Sequence, residues 1–102
     1  MTMQSKWVQV GSVRRFDEVK PDKAQVMKVA EESLEVFSAW ENFRDDASDV
    51  KRSAVVDECA DVIQATLNLV AALGVEDFRP WMKACELRNR KRGRITDGKV
   101  DE

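Results

Sequence analysis

The sequence predicts an all-α fold, a helical bundle of three main helices behind a short N-terminal segment. Three observations carry this. Hydrophobic residues make up 43% of the 102, enough for a folded core. Glycine and proline number only 4 and 2, too few for the many turns of a sandwich or barrel. Apolar residues recur at helical spacing through two long stretches and a shorter third. A chain of this length is expected to form one domain, 1–102, with residues 1–20 as the N-terminal segment and 96–102 as a frayed polar tail.

The elements follow in chain order. In residues 1–20, Trp7, Val8 and Val10 bring apolar character, Gly11 interrupts it, and residues 13–19 fit one helical turn. Pro21 suits the first turn of a helix, and the 3.6-residue period continues to about residue 44. Asp45, Asp46, Ser48 and Asp49 form a polar connection, with Asp49 placed to cap a second helix over about 50–73. Gly74 follows where a left-handed residue ends a helix. Asp77 is placed to cap the third helix, whose first turn tolerates Pro80 and which ends near residue 92, before Gly93.

Advancing 100° per residue sorts each long helix into two arcs. In the first, Val26, Met27, Val29, Ala30, Leu34, Val36, Phe37 and Trp40 cover about half the circumference, and Glu31, Glu32 and Glu35 fall opposite, with Lys28 among them. In the second, Val55, Val56, Cys59, Ala60, Val62, Ile63, Leu67, Leu69 and Val70 form the apolar half. Asp57, Glu58 and Asp61 share the other arc with Ala54, Ala65, Asn68 and Ala72. Such wide bands exceed what one buried face requires, so both helices are expected to pack on two sides. Three helices of a short chain cannot supply that cover. Dimerisation into a four-helix-type core is therefore expected, as a homodimer or homotetramer.

Composition narrows the chemistry. The chain has no histidine, which removes imidazole acid–base catalysis, Ser-His-Asp and Cys-His pairs and imidazole-ligated zinc. Cys59 and Cys85 are too few for a disulfide scaffold and read as buried thiols of a reducing compartment. The longest apolar run, residues 69–73, cannot span a bilayer, and no signal-type apolar segment opens the chain, so a cytoplasmic protein without a membrane is expected. Trp40 falls on the apolar arc and reads as a core or interface residue; Trp7 and Trp81 are open to either that role or base stacking.

The net charge of −2 conceals an asymmetry. Residues 31–61 carry ten acids against three cations, a local net of −7, whereas residues 83–94 carry six cations against Glu86, a local net of +5. Within the acidic region Glu32 and Glu35 are three apart, and so are Glu58 and Asp61, a spacing that makes each pair neighbours on one helix face. On facing helices the pairs would set four carboxylates around one small volume, where like charges repel unless solvated or bridged by a cation. Oxygen-only ligands favour Mg²⁺ or Mn²⁺. A solvated face is the alternative, and for one pair alone it is the commoner outcome. The shared spacing, and the small neutral neighbours Ala54, Ala65, Asn68 and Ala72, favour the site.

At these residues the chain resembles the MazG-like all-α nucleoside triphosphate pyrophosphohydrolases. Glu31-Glu32-Ser33-Leu34-Glu35 matches the family's Glu-Glu-x-x-Glu, and Glu58-Cys59-Ala60-Asp61 its Glu-x-x-Asp, with 22 residues between Glu35 and Glu58. Lys28 stands where the family carries a lysine, and residues 89–94, Asn-Arg-Lys-Arg-Gly-Arg, are similar to its Asn-and-basic segment. The resemblance covers about residues 22–94 and differs in Ser33-Leu34 and in a denser basic segment.

The resemblance implies Mg²⁺-dependent hydrolysis of a nucleoside triphosphate, an NTP or dNTP, to the monophosphate and pyrophosphate. It implies Glu32, Glu35, Glu58 and Asp61 as metal ligands, and Glu31 as an outer or second-metal acid. Asn89, Lys91, Arg92 and Arg94 would contact phosphate, with Lys28 assisting. A triphosphate brings several negative charges to an acidic pocket and needs cations between, and water can attack without a protein nucleophile. Glu31, Glu35 and Asp57 are each placed to orient that water. Two other readings stand beside this one: a non-catalytic helical interaction module with an acidic face and a basic C-terminal helix end, and, less favoured on an acidic chain, a nucleic-acid binder led by residues 88–94.

Overall fold

Residues 5–96 are described by the computed structural model, and among them are three α-helices and no strand. The tail expected at 96–102 lies, apart from Thr96, outside these residues. Helix α1 spans Lys23–Asp45, α2 Asp49–Ala72 and α3 Arg79–Lys91. No helix among the described residues is long and apolar enough to cross a membrane.

Local chemistry sets each boundary. Asp22 caps α1, accepting the Gln25 N–H at 3.0 Å, so Pro21 stands before the cap and not in the first turn. Ser48, not Asp49, caps α2: its backbone is extended and its hydroxyl accepts the Lys51 N–H at 3.2 Å. Asp49 is already helical, where its charge complements the N-terminal dipole. So short a connection folds α1 and α2 into an antiparallel hairpin. Gly74 ends α2 with φ +87°, and the Val75 N–H reaches back to the Val70 carbonyl at 3.2 Å. The N-cap of α3 is Phe78, without a side-chain bond. Asp77 acts one residue earlier, accepting the Arg79 N–H at 3.1 Å and gripping its guanidinium with both oxygens at 2.9 Å. These bonds hold the Asp77 carboxyl down to about 2.

The helical turn expected over 13–19 does not form; the chain there is irregular, with a bend at Asp17 and Glu18. Side chains of α2 take the backbone bonds a helix would have used. The Phe16 N–H donates to Asn68 Oδ1 at 3.0 Å, and Gln64 Nε2 donates to the Arg14 carbonyl at 3.1 Å. The N-terminal segment is thus strapped across α2.

The two long helices meet along an unexpected face. The half-buried positions of α1 are Gln25, Val29, Glu32, Val36, Ala39 and Phe43, with Glu41 beside them. On α2, Val55, Glu58, Val62, Ala65 and Leu69 repeat the same alternation of fours and threes, the spacing of a helix–helix seam. This seam runs where the apolar band borders the acidic arc and takes a glutamate from each helix inward. Only Ala65 and Asn68 are fully buried among the described residues, both from the arc expected to face away.

The rest of each apolar band accordingly points outward. Val26, Met27, Leu34, Phe37, Trp40, Val56 and Ile63 are 42% to 68% exposed. Trp40 is therefore no core residue within the chain; it stacks on Phe37 at 6.1 Å, with the Arg44 guanidinium 5.2 Å over its ring. Cys59 is exposed and Cys85 half-buried, so the expectation of two buried thiols fails for Cys59, which rides the outward band. Helix α3 packs against neither partner: no Cα of it lies within 8 Å of one in α1 or α2. The three helices form a hairpin and a detached arm in place of a closed bundle. The radius of gyration, 16.7 Å, exceeds the roughly 13 Å of a compact chain this long.

Candidate metal centre

The hairpin seam brings part of the acidic constellation together. Glu32 on α1 and Glu58 and Asp61 on α2 each place a carboxylate oxygen within 4.8 Å of the other two. Glu32 and Glu58 are half-buried, and Asp61 is exposed at the rim. Along the seam Glu32 is flanked by Val29 and Val36, and Glu58 by Val55 and Val62, so both carboxylates lie between apolar layers.

Electrostatics mark the site as short of positive charge. The Glu58 carboxyl is pushed above its ordinary value, first by desolvation, then by the charges of Asp61, Glu35, Glu32 and Asp57. Glu35 is exposed and outside the 4.8 Å group, yet close enough for its charge to act on Glu58. Lys28 supplies a built-in cation, its Nζ 3.5 Å from Glu32 and 3.7 Å from Glu31. The hydrogen bond and charge of Glu32, followed by the charge of Glu31, raise the Lys28 pKa. Glu31 is exposed and engaged with this lysine.

A divalent cation fits the donor set. Three carboxylates from two helices offer hard oxygen ligands, with Asp61 exposed at the edge of the group, and neutralising them would lift the repulsion on Glu58. Acidic groups also cluster without an ion, so the fit rests on the half-burial of Glu32 and Glu58 as well as on proximity.

The basic segment is not brought to this centre within one chain. Asn89 is engaged within its own helix end, donating to the Cys85 carbonyl at 3.0 Å and accepting from Arg94 Nη1 at 3.1 Å. Arg90 pairs with Glu86 at 3.1 Å. Lys91, Arg92 and Arg94 are exposed around Gly93, whose φ of +77° ends α3. Gln64 and Asn68 were not expected at the site's support, yet they position the N-terminal segment over α2; a carboxamide in a run of alanines and leucines was the available signal. Gln25 likewise ties the hairpin, donating to the Ala65 carbonyl at 3.0 Å. Comparison with protein-family models, curated proteins and solved structures finds no match.

Proposed function

We propose that this chain is a Mg²⁺-dependent nucleoside triphosphate pyrophosphohydrolase, working in the cytoplasm as a homo-oligomer. The observation that carries the reading is the convergence of Glu32, Glu58 and Asp61 from two helices, with Glu58 desolvated among like charges. A purely solvated acidic face would leave Glu32 and Glu58 outside the seam.

In the reaction, water adds to the α-phosphorus of an NTP or dNTP, the bond to the α–β bridging oxygen breaks, and pyrophosphate leaves. Glu32, Glu58 and Asp61, with Glu35 beside them, would hold the ion. A Mg²⁺ or Mn²⁺ ion held there would supply the positive charge that lets a triphosphate approach these carboxylates. Glu31, Glu35 or Asp57 orients the attacking water and accepts its proton. Lys91, Arg92 and Arg94, which one chain does not bring to the centre, would offer donors to the leaving group only across the homo-oligomer, and Lys28 would exchange a carboxylate partner for a phosphate.

The test is a panel of ribo- and deoxyribonucleoside triphosphates incubated with Mg²⁺ or Mn²⁺. Pyrophosphate and monophosphate without orthophosphate are expected, and Glu35→Gln and Asp61→Asn should abolish release. No pyrophosphate from any nucleotide with either metal overturns the reading. The exposed, detached α3 favours a second reading, a non-catalytic interaction module, for which a melting temperature indifferent to Mg²⁺ would speak.

A further inference from the structure

We infer that α3 is a binding arm for single-stranded nucleic acid, with Trp81 stacking on a base and Arg88, Lys91, Arg92 and Arg94 holding phosphates. The balance of charge points to it. Residues 83–94 carry six cations against a single acid, Glu86. Glu86 engages Arg90 at 3.1 Å and Lys83 at 3.8 Å. Arg88, Lys91, Arg92 and Arg94 are exposed and make no ion pair among the described residues. The negative end of the helix dipole amounts to about half a charge, which one cation offsets. The rise of the helix sets Arg88, Lys91 and Arg92 within about 6 Å along its axis, a charge spacing close to the roughly 3.4 Å per phosphate of a nucleic-acid strand.

The placement of Trp81 supplies the second argument. Its side chain is 55% exposed, and Arg88 and Arg92 follow it by seven and eleven residues. At 100° per residue all three project within about 40° of one another, in a row roughly 16 Å long. An exposed aromatic beside a cationic track is the combination that holds single strands without reading their sequence. A duplex keeps its base faces stacked away from such a ring, which selects the single strand. The acidic hairpin is the obstacle to a polyanion, and α3 stands clear of it. No Cα of α3 lies within 8 Å of one in α1 or α2, a separation comparable to the Debye length at physiological ionic strength. The inference stands whether or not the acidic centre turns over nucleotides.

Fluorescence anisotropy of a labelled oligothymidylate of about 16 nucleotides, titrated with the full chain in chelator, tests it. Chelation silences a metal-dependent centre, so failure here and failure of hydrolysis are separate results. Four phosphate contacts predict a slope of about −2.8 in log affinity against log salt, which is roughly 50-fold weaker binding at about 200 mM salt than at about 50 mM. Arg88→Gln combined with Arg92→Gln should halve that slope. Trp81→Ala should weaken binding about tenfold and leave the slope in place. Circular dichroism of each variant should match the parent. No binding at the lower salt overturns the inference. So does an affinity indifferent to salt, a duplex of equal length bound as tightly, or variants that fold and bind as the parent does.

Discussion

Replacing Asn68 by alanine should loosen the N-terminal segment, and the structure sets the size of the effect. Asn68 is 2% exposed, and its Oδ1 accepts the Phe16 N–H at 3.0 Å and Gln64 Nε2 at 3.1 Å. Orphaning a fully buried donor costs about 1–3 kcal/mol. Phe16 and Gln64 are partly open to water, so each loss falls toward the low end, and together they predict about 1–2 kcal/mol. For a domain of this size that lowers the melting temperature by roughly 4–8 °C per kcal/mol. Urea unfolding followed by far-ultraviolet circular dichroism measures it, at one protein concentration because association would shift the midpoint. Amide exchange at Phe16 should quicken in parallel. Asn68→Asp separates hydrogen bonding from packing: it keeps an acceptor for both donors but buries a charge, so its deficit should grow as pH rises through the carboxyl's ionisation. A stability change for Asn68→Ala within about 0.5 kcal/mol, the level of a neutral surface substitution, together with unaltered exchange at Phe16, would refute the clamp.

Two further predictions concern the acidic centre. The folded chain holds the Glu58 proton to higher pH than the unfolded chain does, so the native state binds more protons, and this group's contribution to stability falls as pH rises from about 4.5 through the raised value. Glu58→Gln should flatten that fall and leave the metal-free protein at pH 7 at least as stable as the parent; melting curves from pH 4 to 8 in chelator would expose a steeper fall in the variant as the contrary result. Lys28→Gln removes the cation engaged with Glu32 and should tighten Mn²⁺ binding several-fold in calorimetry, since the metal no longer competes with the lysine; weaker binding would show instead that Lys28 helps build the site.

What the sequence disclosed and what it withheld divide along a physical line. Helix existence was legible because period, caps and glycines act locally: α1, α2 and α3 fall within two residues of their expected ends, and Gly74 and Gly93 have the left-handed φ that their places required. Choosing Ser48 over Asp49 turned on a single residue of extended backbone, which composition does not encode. That Glu58 and Asp61 lie together was legible from spacing, because i and i+3 share a face, whereas Glu35, three from Glu32, stays outside the group. The face chosen for packing was not. An average over the wheel favours the widest apolar band, yet the hairpin closes on alternating valines, alanines and glutamates at its edge and leaves Phe37 and Ile63 outside. Nor did the pattern reveal that α3 stands apart, because an amphipathic stretch looks the same whether its seat lies in its own chain or another.

These two surprises bear on each other. A hairpin that sets carboxylates among the half-buried valines of its seam and turns its larger apolar side chains outward has little to hold it together alone. Full burial of one Val, Leu, Ile or Phe side chain contributes about 1.5–3 kcal/mol, and here no such side chain is fully buried among the described residues. The inner seam meanwhile presses Glu32, Glu58 and Asp61 together. On the proposed reading, two sources acting on opposite sides of the same helices would supply stability: a cation on the seam and a second chain on the outer band. They are separable in the laboratory. Stabilisation by Mg²⁺ should depend on metal concentration and vanish in Asp61→Asn, whereas stabilisation by association should depend on protein concentration and vanish in Phe37→Glu. If the parent gained nothing from either variable, with the folded chain persisting as a metal-indifferent monomer, the arrangement of these two faces would have no physical account.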